Sequence, residues 1–164
     1  MLIYLLRHGR AEDGFDKPDD LRELTDDGRE RLRRAAPVWR RLADPLDTIC
    51  ASPLVRAQQT AIELRDAVRG KPAIETHSAL VPGARIAEAL ELVTAALAAG
   101  RAGVAFVGHE PHLGLLLGTL LTGGPGLALP LKKGMLVGVE LPSSASLIGE
   151  LAFALTQRAA ARLS

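Results

Sequence analysis

The sequence predicts an α/β protein: a three-layer α/β/α sandwich whose central sheet is mostly parallel and closes with a C-terminal hairpin. Three observations carry this expectation. Short apolar runs alternate with longer segments patterned at helical spacing, as in successive βαβ units. Two of those runs, LIYLL (2–6) and GVAFVG (103–108), are apolar throughout, as expected of strands buried on both faces. The last part of the chain changes rhythm, giving GMLVGVEL and SLIGELAFAL around Pro142-Ser143-Ser144.

Each element follows from local chemistry. LIYLL carries β-branched and aromatic residues and reads as the first strand. From Thr25 to Ala43, Leu32, Ala35, Ala36, Trp39 and Leu42 recur at helical spacing, and Thr25 is the expected N-cap. Pro37 falls inside this pattern and is expected to kink or split the helix. DTICA (47–51) reads as the second strand. Ser52-Pro53 then resembles a capping serine followed by proline at the first helical position. Ala57, Ala61, Leu64 and Val68 extend the buried face of that helix. PAIET (72–76) suits a short third strand, followed by a helix over about 85–99. GVAFVG is the central strand, and Pro111 opens a helix running to Leu121. TGGPGLALP (122–130) is a loop, too short to separate domains, so residues 1–164 are expected to form a single domain.

Composition narrows the function classes. Hydrophobic residues make up 48% of the chain but aromatics only 3%, so the core must be aliphatic. A formal net charge of +1 provides no global attraction for nucleic acid or an anionic membrane. The single cysteine excludes an intrachain disulfide and a cysteine-based metal cluster. Cys50, within TICA, reads as a small buried hydrophobe. No charged leader precedes an apolar stretch, and no apolar run reaches the roughly 20 residues that span a bilayer. The expected setting is the cytoplasm, and the expected state a monomer.

Parallel sheets bind ligands at the carboxyl ends of their strands, beside the following helix N-termini. Arg7-His8-Gly9 follows the first strand, SPLVRAQQT follows the second with Arg56, and GHEPH follows the central one with His109. Distant segments therefore deliver two arginines and two histidines to one sheet edge. Arginine matches phosphate oxygens with a planar fork of donors and stays charged. Helix N-termini favour an anion as well. Histidine can be a nucleophile, a proton carrier or a metal ligand, and neighbouring arginines oppose a metal cation. Gly9 and Gly108 suit close approach of backbone to a ligand. Phosphoryl binding with a nucleophilic histidine uses every one of these residues, with no metal and no cofactor.

These residues also resemble a known family. LLRHGRAE, SPLVRAQQTA and VGHEP are similar to the motifs of the histidine phosphatase superfamily, the phosphoglycerate-mutase-like phosphatases. The short chain, LRELTDDGRE and LKKG resemble its SixA-type phosphohistidine phosphatase branch, over residues 1 to 155. The resemblance implies that His8 attacks phosphorus and forms a covalent phosphohistidine. It implies that Arg7 and Arg56 bind the non-bridging oxygens, with Gly9 in the same substrate-binding set. His109, protonated beside the phosphate, would stabilise the transition state, and Arg22 would reach the phosphate rim. The implied partner is a protein bearing phosphohistidine, with no nucleic acid and no membrane.

One departure from the wider family bears on substrate. Mutase-like relatives often carry an acidic proton donor shortly after the third strand, yet residues 78–87 hold no carboxylate. Glu12, Asp13, Asp16, Asp19 and Asp20, in the loop after the first motif, remain the candidate donors. Imidazole leaves more readily than an alkoxide, so a site without a fixed acid fits a P–N substrate. Small phosphate esters, or phosphoserine and phosphothreonine, form the alternative, and a phosphate-binding module without turnover a third. The stretch between Arg56 and His109 leaves no room for a cap domain.

Other conspicuous residues have simpler readings. His112 reads as pocket wall or surface, His77 as solvated and Trp39 as core. The arginines of GRERLRRAAPVWRR lie opposite the Leu32/Trp39 face, as on an ordinary solvated helix. Lys132 and Lys133 either line the rim of the site or simply end a loop.

Overall fold

The computed structural model describes residues 1–142 and 146–163. Its six-stranded sheet contains β1 (Leu2–Arg7), β2 (Thr48–Ala51), β3 (Ala73–Thr76), β4 (Gly103–Gly108), β5 (Leu136–Glu140) and β6 (Glu150–Leu155). They lie in the order β3-β2-β4-β1-β5-β6. The first four are parallel, whereas β5 runs antiparallel to both β1 and β6. The expected turn at Pro142-Ser143-Ser144 falls mostly outside the described residues. The strands flanking it do form the closing hairpin.

Alternation along the strands builds two cores. Tyr4 and Leu6 of β1, with Ala105 and Val107 of β4, face α1 (Asp26–Leu42), α2 (Val55–Ala67) and α5 (Gln157–Leu163). Ile3 and Leu5, with Val104 and Phe106, face α3 (Ile86–Ala98) and α4 (His112–Thr122). Side chains at successive strand positions point to opposite faces, which is why these central strands are apolar without interruption. The result is the expected α/β/α sandwich, with no cap domain among the described residues.

Helix α1 shows both the success and the limit of local signals. The Thr25 hydroxyl accepts the Gly28 N–H at 3.0 Å, as its N-cap assignment requires. A Cβ on Gly28 would stand 2.1 Å from the Arg10 carbonyl oxygen, so only glycine lets the helix dock against this loop. Pro37 does not split the helix, which runs unbroken from Asp26 to Leu42. Ala35, Val38 and Trp39 are buried on either side of it, so packing overrides the local break. The outer arginines pair with carboxylates, Arg31 with Asp27, Arg34 with Glu30 and Arg33 with Glu63, as on a solvated face.

Helix α2 begins later than its sequence suggests. Leu54 occupies the cap position, and the helix starts at Val55. The short helix α5 follows β6, capped by Thr156, whose hydroxyl accepts the Ala159 N–H at 3.2 Å. It has no counterpart among the elements expected from the sequence.

Candidate active site

Strand register assembles the site. Arg7 lies opposite Gly108, and Ala51 opposite Val107, so β1, β2 and β4 end side by side. The His8 N–H continues the ladder to the Gly108 carbonyl at 3.0 Å, and the Ser52 N–H to that of Val107 at 3.0 Å. His8 and His109 thus face one another, with ring centroids 5.0 Å apart. His8, Arg56 and His109 are all buried.

The His8 ring is held in one orientation. Its Nδ1 lies 2.7 Å from the Gly9 carbonyl oxygen, which can only accept, so Nδ1 carries the proton and Nε2 the lone pair. Burial, foremost, pushes its pKa down to about 4, and the Arg56, Arg7 and Lys133 charges add to the shift against the Gly9 hydrogen bond. At neutral pH His8 is therefore an uncharged imidazole with a free lone pair, the form a nucleophile needs.

His109 is fixed by Ser52, a residue whose place before Pro53 predicts a helix cap. Its Nε2 lies 2.8 Å from the Ser52 hydroxyl. That oxygen also accepts the Leu54 N–H at 3.4 Å, so it can direct its own proton to Nε2 and leave Nδ1 as a donor. Burial, then the proximity of His8 and Arg56, lowers the His109 pKa to about 3. Without phosphate the residue is neutral, unlike the protonated state expected for the complex; a bound dianion supplies the opposite charge that such protonation needs.

The arginines are anchored by backbone and carboxylate. Arg7 Nη1 donates to the Leu131 carbonyl at 2.7 Å. Glu110 in turn accepts the Leu131 N–H at 3.2 Å, so this half-buried carboxylate sets the loop that holds Arg7. Arg56 donates Nη1 to the Asp19 carbonyl and Nη2 to the Asp19 carboxylate, the latter at 2.9 Å. Arg22 reaches the other Asp19 oxygen at 2.8 Å and the Glu12 carbonyl at 2.7 Å. Arg7 Nε and His109 Nδ1 are buried without a partner among the described residues. Buried groups of this kind are normally satisfied, and oxyanion oxygens could satisfy both.

The other candidates find different places. Gly9 donates its N–H to Thr60 Oγ1 at 3.2 Å and lends its carbonyl to His8, so it positions the histidine rather than offering a free donor. A Cβ at Gly9 would meet Leu32 at 2.9 Å, and one at Gly108 the Leu80 carbonyl at 3.3 Å. Both glycines thus answer to protein packing. His112 is buried, which removes the surface reading. Lys133 stands at the rim, where its charge bears on His8, and the following Gly134 N–H bonds the Arg7 and His8 carbonyls. The roles of Ser52, Thr60 and Glu110 had no distinct sequence signal, although all three lie inside or beside the recognised motifs.

The profile of the histidine phosphatase superfamily (branch 1) matches residues 3–81, which include Arg7, His8, Arg22 and Arg56. The chain is also 34% identical over 141 residues to an uncharacterized protein of Picosynechococcus sp., covering 85% of each chain. The chain belongs to the histidine phosphatase superfamily. The protein histidine phosphatase SixA, solved with tungstate, has a similar fold: TM-score 0.86 and 24% identity over 96% of this chain and 98% of that one. The alpha-ribazole phosphatase of Shigella flexneri is similar at TM-score 0.69 and 16% identity, over 96% and 97% of the two chains. Superfamily membership supports phosphatase activity, and the similar solved structures are named for different substrates. No helix among the described residues is long and apolar enough to cross a membrane.

Proposed function

We propose that this phosphatase removes the phosphoryl group from phosphohistidine on a protein, through a covalent intermediate on His8. In the first step the His8 Nε2 lone pair attacks phosphorus while the P–N bond to the substrate imidazole breaks. The leaving nitrogen takes its proton from solvent. Water then attacks the phosphorus of phospho-His8, releasing inorganic phosphate and restoring the neutral imidazole. Arg7, Arg56 and His109 stabilise the charge on the transferring group, with Arg22 at its rim.

The observation that carries the substrate assignment is the state of two loop carboxylates, Asp19 and Glu12. Asp19, beside the site, is held below the usual carboxylate range by its hydrogen bonds to Arg56 and Arg22. Glu12 is likewise held low, by Lys17 and the Glu23 N–H. Neither keeps a proton at neutral pH, so neither suits the role of general acid. An alkoxide leaving group needs such an acid, whereas an imidazole does not. The likeness to SixA and the absence of a covering cap among the described residues support a side chain presented by another protein.

The test compares phosphohistidine and phosphoserine in one peptide context. General acid catalysis is worth about 10²–10⁴ in rate, so kcat/KM should favour phosphohistidine by something of that order. The gap should narrow for aryl phosphates, whose phenolate leaves without help. Equal efficiency on phosphoserine, with a collapse on removing a loop carboxylate, would assign the protein to ester substrates, the class its likeness to alpha-ribazole phosphatase represents.

A further inference from the structure

A second cluster of chemically able side chains lies on the edge of the sheet, built by strand register. Cys50 of β2 pairs with Glu75 of β3, so their side chains share one sheet face. His77, two residues beyond Glu75, continues that face, and its N–H is tied to the Ala51 carbonyl at 2.9 Å. The three ligand atoms all lie within 4.8 Å of one another. They line a cavity of about 190 Å³ shared with Thr48, Leu92 and Arg101.

We propose that Cys50, Glu75 and His77 bind a divalent ion of the zinc class. Thiolate, imidazole and carboxylate are the three side-chain ligands zinc accepts, and three of them leave one tetrahedral position for water. Tetrahedral bonding needs ligand atoms roughly 3.5 Å apart, a contraction within reach of side-chain rotation. His77 Nε2 is already 3.4 Å from Glu75 Oε2. The Thr48 hydroxyl donates to the other Glu75 oxygen at 3.2 Å, orienting the carboxylate as outer partners of metal ligands do.

The charges also balance. On binding, the Cys50 thiol gives its proton to solvent and its sulfur to the metal, so thiolate and carboxylate together neutralise a divalent cation. Burial and Glu75 push the free thiol up to about 12, so it does not ionise alone at neutral pH. The ion would fasten the short edge strand β3 to β2 without involving any residue of the phosphoryl site.

Cobalt(II) tests this directly, because Cys50 is the only cysteine in the chain and any thiolate-to-cobalt charge-transfer band must come from it. Protein prepared reduced and metal-free should develop that band, saturating at one equivalent, and zinc should displace it and raise Tm. Cys50→Ser should abolish the band. His77→Ala and Glu75→Gln should each weaken cobalt at least tenfold while leaving phosphatase turnover unchanged. These two positions lie outside the buried core, so their folds, checked by circular dichroism, keep the test decisive should Cys50→Ser fail to fold. No band in the folded wild type would overturn the site. So would a band of unchanged affinity in both the His77 and Glu75 variants, since the thiol would then be binding cobalt unaided.

Discussion

Ser52 Oγ and His109 Nε2 are 2.8 Å apart, both buried at the junction of β2 and β4. This contact fixes the ring that faces His8. A single buried hydrogen bond is worth about 1 kcal/mol, so Ser52→Ala should lower kcat about fivefold through misorientation of His109. KM should change little, because the arginines remain. Steady-state kinetics check this, and an unchanged kcat would mean that His109 is held by packing alone.

Asp19 ties the cationic side of the site together. Arg56→Ala should cost about 10²–10³ in kcat, the usual loss of a preorganised donor at a developing charge. Arg56→Lys should recover little of it, since an ammonium lacks the planar fork. Asp19 occupies an Arg56 donor that an oxyanion also wants. Asp19→Asn, which keeps the shape but not the charge, should therefore bind tungstate more tightly, by isothermal titration. Weaker binding would show that the carboxylate orders the arginine more than it competes for it.

Much of this site is legible in the sequence because strands write their ends clearly. LIYLL and GVAFVG stop at Arg7-His8 and Gly108-His109, and parallel register turns those stops into neighbours. Ser52 was misread because serine before proline is a common helix start, and only the fold shows that its hydroxyl meets His109. Asp19 stayed one of five candidates because the loop after His8 has no periodicity to place it. Pro37 predicted a break that the buried face of α1 overrode. Cys50, Glu75 and His77 meet only through the pairing of β2 with β3, which no local pattern encodes.

Acid should weaken the fold through the two site histidines. In the unfolded chain imidazoles take up protons near 6.5, but in the fold His8 does so only near about 4 and His109 near about 3. Between those values the unfolded state binds more protons, so stability falls as pH drops from about 6.5 and rises again with pH. His8→Asn should flatten that dependence in urea unfolding between pH 6.5 and 4. Ring NMR should find His8 and His109 still neutral at pH 5.5. Midpoints near 6.5 would contradict the neutral-nucleophile reading.

The central claim is that His8 itself carries the phosphoryl group. Brief reaction with radiolabelled phosphoryl donor, followed by quenching and peptide mapping, tests it most directly. The account predicts alkali-stable, acid-labile label on the peptide containing His8. It also predicts loss of both label and turnover in His8→Ala, with the fold preserved. Label on a serine or aspartate, or full turnover in His8→Ala, would contradict it.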